Sequence, residues 1–414
     1  MQSPDQQRPG ADAASASMAL RLAVVTETYP PEVNGVAMTV AQLVHGLGRR
    51  GHRLQLVRPR QHAADSAPAA GEPPWLHELL VPGLPIPRYP ELKMGLPARR
   101  ALLRGWAEDR PDLVHIATEG PLGWSALQAA RRLQLPVTTD FRTNFHAYSR
   151  HYGIGWLSRP IAAYLRHFHN RAQCTMVPTE ALRRELADDG FRDLEVVARG
   201  VDVDQFSPQY RSAALRAAWG AGPDTFVVAC VGRLAPEKNL DLLVGAFVAM
   251  RALRPDSLLL LVGDGPARRE LQARCPQAVF AGTRSGADLA AHYASADAFV
   301  FPSVTETYGN VTPEAMASGL PVLAYRHAAA ARLIRHGENG LLAPLHDAAA
   351  FVALAEVLAR DLAHARALGQ AARQTALAQQ WDAVIGQVEA LMRRALCRGP
   401  QAGVGGLRFA GPAR

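Results

Sequence analysis

Lysine is nearly missing from this chain. Of its 45 lysines and arginines only Lys93 and Lys238 are lysines. Cysteine is scarce as well: Cys174, Cys230, Cys275 and Cys397 are scattered with neither metal-type nor redox-type spacing, so ordinary thiols are expected and disulfides are not. Long hydrophobic runs are lacking too. The longest, SLLLLVG and ADAFVFP, are strand-sized and far below the roughly 18–20 residues that cross a bilayer. Residues 1–18, MQSPDQQRPGADAASASM, have neither the basic start nor the apolar core of a secretory signal, so they are expected to be a loose extension of a cytoplasmic protein.

What is present is the composition of a soluble globular protein, 48% hydrophobic and 20% charged over 414 residues. At roughly 100–200 residues per domain, that length suggests two domains. The net charge of +8 suits a phosphorylated ligand or an anionic membrane surface. No recognisable RNA- or DNA-binding motif accompanies it, so nucleic acid is not an expected partner.

Hydrophobic periodicity supplies the fold class. RLAVVTETYP reads as a buried strand entering a loop, MTVAQLVHGLGRRGH as a helix ending at glycine, and HRLQLVRP as the next strand. DLVHIAT, GWSALQAARRLQL and PVTTDF continue the alternation, and CTMVPT and LEVVARG add strands. The pattern pauses at RGVDVDQFSP. It restarts with TFVVACVGRL and runs through SLLLLVGDG, DAFVFPS, PEAMASG and PVLAY. The expectation is an α/β protein of two Rossmann-like domains facing each other across a cleft, spanning residues 19–200 and 201–395. An Ala-rich helical region closes the second domain, and residues 396–414 form a flexible tail.

Open parallel sheets bind ligands at the carboxyl ends of their strands, so the loops there carry the chemistry. In VTETYGNVTPEAMASG, Thr312 is placed to cap a helix whose first position is Pro313, with Glu314 in its first turn. Free backbone N–H groups and a positive dipole end then face the loop mouth, ready for a phosphate. Glu306 and Glu314 flank that mouth and can accept hydrogen bonds from sugar or ribose hydroxyls; Tyr308, Gly309, Asn310 and Val311 lie between them. A capped surface helix with two solvated acids is the plainer reading.

VGRLAPEKN places Arg233 and Lys238 on one turn, suited to a diphosphate leaving group or to a simple salt bridge with Glu237. In VGDGPARREL, Gly263 and Gly265 start a dinucleotide fingerprint but Arg268 replaces the third glycine, which disfavours a nicotinamide enzyme and leaves a tight turn beside a nucleotide. In TETYPPEVNG, Asn34 and Gly35 lead into a helix, either as a plain turn or as a contact to phosphate from the first domain.

In order and spacing these segments resemble the retaining glycosyltransferases of family four, the GT-B group that includes GDP-mannose-dependent α-mannosyltransferases and lipid glycosyltransferases such as sulfoquinovosyl diacylglycerol synthase. The resemblance runs from about residue 20 to 395 and is most specific in GRLAPEKNLDLL, VGDGP and ETYGNVTPEAMASGLPV. It implies that Arg233 and Lys238 bind the donor diphosphate, Glu314 the ribose and Glu306 the transferred sugar. Backbone N–H groups near Asn310 and Val311 assist, and Gly35 lies close to the phosphate. It further implies a nucleotide-sugar co-substrate, GDP-mannose or UDP-glucose, front-face attack with retention, and neither metal nor other cofactor.

One segment departs from the family. Where the family commonly has a histidine near the sugar, in a segment like FHTNF, this chain has FRTNF, placing Arg142 there. Arg142 either takes over a contact to donor sugar or phosphate or pairs with Asp140, and His146 is the alternative catalytic candidate. Asp202 and Asp204 imitate a metal-binding pair but fall between domains, and His151, His167 and His169 have no metal spacing. The stretch from Asn144 to Arg171 mixes aromatics with Arg and His. That mixture suits either a membrane interface or a core-facing helix, and it favours a lipid or saccharide acceptor at the inner face of an anionic membrane. The competing readings are a non-hydrolysing nucleotide-sugar epimerase and a non-enzymatic sugar-nucleotide binder.

Overall fold

The computed structural model describes residues 18–32, 34–61, 65, 73–86, 89–142 and 158–399. The remaining terminal residues, together with His146 and His151, lie outside the described residues.

Two parallel sheets form the framework. In the first half the strands are β1 (Arg21–Val25), β2 (Arg53–Pro59), β3 (Leu76–Val81), β6 (Leu113–Ile116), β7 (Val137–Asp140), β8 (Cys174–Val177) and β9 (Leu194–Val196), with a separate hairpin of β4 (Gly83–Ile86) and β5 (Tyr89–Gly95). The second half contributes β10 (Val227–Val231), β11 (Leu258–Val262), β12 (Val279–Gly282), β13 (Ala298–Phe301), β14 (Val322–Tyr325) and β15 (Leu341–Ala343). Unbroken apolar strands such as VVACV in β10 and AFVF in β13 are buried on both faces, as a parallel sheet covered by crossover helices requires.

The first sheet has the order β3-β2-β1-β6-β7-β8-β9 and the second β12-β11-β10-β13-β14-β15. In both, the chain runs outward from a central strand in one direction and then reverses to fill the other side. The reversal leaves a crevice between β1 and β6 in one sheet and between β10 and β13 in the other, each at the carboxyl ends of the strands.

The last helix, Trp381–Arg398, corrects the expected domain division. The sequence groups it with residues 201–395, but Ile385, Val388, Leu391, Met392 and Ala395 are buried in one cluster with Leu22 and Val24 of β1 and Val40 and Leu47 of the helix Gly35–Arg49. The close approach needs a glycine, since a Cβ on Gly46 would lie 1.9 Å from the Ile385 Cδ1. Cys397 and Arg398, expected in the flexible tail, are part of this helix.

The chain therefore crosses between domains twice, and the crossings touch. Val201 donates its N–H to the Gln379 carbonyl at 2.9 Å, and a Cβ on Gly200 would sit 2.6 Å from the Trp381 Cα. Arg50 clasps the start of the returning helix through Asp382 at 2.9 Å and Glu389 at 2.8 Å. Among the described residues no helix is long and apolar enough to cross a membrane.

Candidate active site

The two loops that bear the expected donor residues leave β10 and β13, which are neighbours at the crevice of the second sheet. After β10 the chain forms a 3-10 turn, Pro236–Lys238, and Asn239 adopts a left-handed conformation at φ 54° before the helix Leu240–Leu253. This turn aims Lys238 across the crevice, where its Nζ is ion-paired with Glu306 from the loop after β13. Ser303 donates its hydroxyl to the same carboxylate oxygen at 2.7 Å. Burial works against the charge of Glu306, but Lys238 and Ser303 outweigh it and hold the carboxyl below its ordinary range. Arg233, on the same loop as Lys238, is paired with buried Glu237 at 3.1 Å and remains partly exposed. Lys238 and Glu306 thus meet across the crevice, while Arg233, on the same loop as Lys238, is held by Glu237.

The helix after this loop begins earlier than the sequence suggests. It spans Val311–Ala317 with Asn310 as the preceding residue, so Pro313 is third rather than first and Thr312 is buried inside it instead of capping it. No side chain caps this start. Within the first turn Thr312 donates its N–H to the Gly309 carbonyl at 3.1 Å and Glu314 to that of Asn310 at 3.2 Å, and Pro313 has none, so the Val311 N–H is the one outside these bonds. Glu314 is half-buried and accepts a hydrogen bond from the Tyr293 hydroxyl at 2.9 Å. Burial pushes its carboxyl up to about 7, opposed only in part by Tyr293.

Gly263 and Gly265 act on the protein's own backbone. Their φ angles are 134° and 157°, and a Cβ on each would lie 2.0 Å from the Gly232 carbonyl oxygen and 2.4 Å from that of Leu234. Leu234 in turn donates its N–H to the Asp264 carbonyl at 2.9 Å. The glycine turn is packed under the loop that carries Arg233, and Gly263 and Gly265 are there to let the two backbones meet. Gly309, at φ 86°, likewise turns the Glu306 loop back against itself.

The first domain meets the loop of Glu306 at Asn310. Its Nδ2 reaches the Gly35 carbonyl at 3.4 Å, and its Oδ1 accepts from Arg199 at 3.2 Å. Asn34 caps the helix behind Gly35 by accepting from the N–H groups of Val36 and Ala37 at 3.1 and 2.8 Å. Tyr308, fully buried, donates its hydroxyl to the Arg199 carbonyl at 3.2 Å. Tyr308 is therefore part of the support beneath the site.

Arg199, which sequence reasoning did not single out, is the hub of this contact. It lies in the stretch between domains and beside Arg142, and burial, with Arg142 adding to it, lowers its guanidinium to about 10.

The pairing expected as one reading of Arg142 is formed. Its guanidinium is ion-paired with Asp140, which also faces His115 Nε2 at 3.1 Å, and both arginine and aspartate are buried. Burial opposes the charge of Asp140, but Arg142, His115 and Arg199 hold the carboxyl far below the ordinary range. A cavity lined in part by Thr39, Asp140, Arg142, Arg199 and Trp381 adjoins this pair.

Asp202 accepts from the backbone N–H groups of Asp204 and Gln205 at 3.1 and 2.8 Å, a local turn in place of a metal pair. His169 is a core histidine, bonded to Thr139 Oγ1 at 2.9 Å and kept neutral by burial, which lowers it to about 3.

Comparison with known proteins matches this layout half by half. The family model described as "Glycosyltransferase Family 4" matches residues 33–205, and that described as "Glycosyl transferases group 1" matches residues 225–361. A GDP-mannose-dependent alpha-mannosyltransferase from Mycobacterium tuberculosis is 36% identical over 386 residues, covering 91% of this chain and 98% of the relative. The sulfoquinovosyl transferase of Arabidopsis thaliana is 32% identical over 72% of this chain and 60% of its own length. Among solved structures, sucrose-phosphate synthase from Thermosynechococcus elongatus superposes with a TM-score of 0.76 over 92% of this chain and all of its own, at 21% identity, a likeness of fold alone.

Proposed function

The chain belongs to glycosyltransferase family 4, with the GT-B architecture of a nucleotide-sugar-dependent hexosyltransferase, and from that premise we propose that it transfers mannose from GDP-mannose to a hydroxyl of a lipid or saccharide acceptor. The observation that carries this reading is the Lys238–Glu306 pair across the crevice of the second sheet, with Arg233 on the Lys238 loop, Glu314 on the helix after the Glu306 loop, and Asn310 between them reaching Gly35. The choice of GDP-mannose rests on the name of the 36%-identical relative.

In this mechanism Arg233 and Lys238 meet the diphosphate, whose charge grows as the bond to the sugar's anomeric carbon breaks. Backbone N–H groups near Asn310 and Val311 receive the same phosphate, and Gly35 leaves room for it from the other side. Glu314 takes the ribose hydroxyls and Glu306 those of the sugar. The acceptor oxygen attacks from the face the diphosphate leaves, and a departing phosphate oxygen takes the acceptor's proton, so configuration is retained without a metal ion. Arg142 serves by position: paired with Asp140 beside Arg199, it stiffens the floor on which Asn310 and Tyr308 rest. The enzyme works in the cytoplasm, at the inner face of the membrane, where its net charge of +8 favours anionic lipid.

The test is a donor panel of GDP-mannose, UDP-glucose and other nucleotide sugars, each with and without membrane lipid extract or free saccharide, following nucleotide release and glycosylated product. GDP-mannose is expected to give product only when acceptor is present. Isomerised donor without acceptor would favour the epimerase reading instead.

A further inference from the structure

Two acids of the first sheet have no task in this mechanism. Glu27 lies in the loop after β1 and Glu119 in the loop after β6, so they flank the crevice of the first sheet as the donor residues flank that of the second. The two loops are tied together: the Glu27 N–H donates to Thr118 Oγ1 at 2.8 Å, and the Glu27 carboxylate accepts from the Leu122 N–H at 2.9 Å, at the start of the helix Pro121–Arg132. The intervening Gly120 makes room for it, since a Cβ there would lie 2.3 Å from either Glu27 oxygen.

Glu119 is only 4% exposed, and its Oε1 has no hydrogen-bond partner. Native proteins seldom leave a buried carboxyl oxygen unpaired, and such an atom marks a missing partner. Burial raises Glu119 to about 8, opposed by a hydrogen bond from its own backbone N–H and by Arg142 and reinforced by Glu27 and Asp140, and burial raises Glu27 to about 7. At neutral pH the pair can therefore both donate and accept hydrogen bonds.

An aromatic wall stands beside them. Tyr164 donates its hydroxyl to the Glu119 carbonyl at 2.6 Å, is 38% exposed, and lies 5.8 Å from the ring of Trp124. Carboxyl groups that exchange hydrogen bonds with hydroxyls, next to a ring that covers a C–H face, are the chemistry of sugar recognition. A simple lipid alcohol offers one hydroxyl and no such face.

We propose that Glu27, Glu119 and Tyr164 form the subsite for the acceptor, and that the part of the acceptor held there is a sugar ring. This rests on the transferase reading above and narrows its acceptor.

The experiment uses the full chain with GDP-mannose, offering octyl α-mannoside and, separately, diacylglycerol vesicles. Glu119→Ala should raise the KM for the mannoside about tenfold with a smaller change in kcat, and should leave the Kd for GDP-mannose within twofold. Glu119→Gln, which keeps an N–H donor, should recover most of the loss. Tyr164→Ala, at an exposed position, should raise the same KM and covers the case in which Glu119→Ala does not fold. An unchanged acceptor KM in both alanine variants, an equal loss of donor affinity, or transfer to diacylglycerol but not to the mannoside would overturn the proposal. Failure of the wild-type protein to bind any nucleotide sugar would instead overturn the reading beneath it.

Discussion

Lys238 and Glu306 are ion-paired across the crevice between β10 and β13 although 68 residues separate them in the chain. Lys238 helps to hold the Glu306 carboxyl below its ordinary range. In the mechanism proposed above, an entering diphosphate competes with Glu306 for Lys238 and frees the carboxylate for the sugar, so that binding of one part of the donor prepares the site for the other.

Lys238→Ala should therefore lower kcat with GDP-mannose by about 10²–10³, the scale of losing one fixed charge from a developing oxyanion. Because Lys238 and Glu306 act through one contact, Glu306→Gln combined with Lys238→Ala should cost much less than the product of the two single losses. Single-turnover rates of the three variants measure this, and multiplicative losses would mean that the two residues act independently.

Glu314 carries a pH signature. Its carboxyl is near 4.5 when unfolded and about 7 in the folded protein, so between those values the folded state binds more protons than the unfolded one. Stability then falls as pH rises through that window, and the penalty is complete above pH 7. Glu314→Gln removes it. Urea unfolding should show the variant more stable than wild type at pH 8 by on the order of 2 kcal/mol, with little difference at pH 4.5. The same variant should bind GDP more weakly, since an amide replaces the acceptor of the ribose hydroxyls.

Gly265→Ala would place a methyl 2.4 Å from the Leu234 carbonyl oxygen at a positive φ. We expect a loss of about 1–3 kcal/mol in stability together with weaker GDP binding, because the displaced loop carries Arg233. Gly245→Ala, in the helix Leu240–Leu253 with nothing within 4 Å of its new methyl, should instead leave GDP affinity unchanged and slightly raise the melting temperature.

The final helix belongs to the first domain's core. Met392→Ala, at a fully buried position, should cost about 2–5 kcal/mol. Hydrogen exchange should then quicken in β1 and β2 and not in β10 or β13. Quickening confined to the second sheet would restore the division at residue 200.

Apart from β3, the strands of both sheets are readable because parallel strands covered on both faces are largely apolar runs, as in VVACV and AFVF. The sequence also exposed the donor loops, where polar and glycine residues interrupt those runs. Periodicity identified the last helix but not its partner, since the apolar face of Ile385, Val388 and Met392 is equally suited to either domain. The hairpin β4–β5 went unread because the Pro-rich stretch PGLPIPRYP hides its alternation, and β3, LHELLV, is a mixed polar run only partly buried. The start of the helix at Val311 was missed because the Thr-Pro-Glu pattern mimics a cap that the buried Thr312 does not make. Arg199 and Glu119 left no local signal at all. Their importance comes from burial among groups distant in sequence, which only the folded chain assembles.

The most direct test of the donor site is calorimetric titration of GDP into the wild-type protein and into Arg233→Ala and Lys238→Ala, with Asp202→Ala as a variant outside the crevice. The account predicts saturable one-to-one binding to wild type and to Asp202→Ala, weakened at least about tenfold by each loss of a cation. Equal GDP affinity in all four proteins would contradict it.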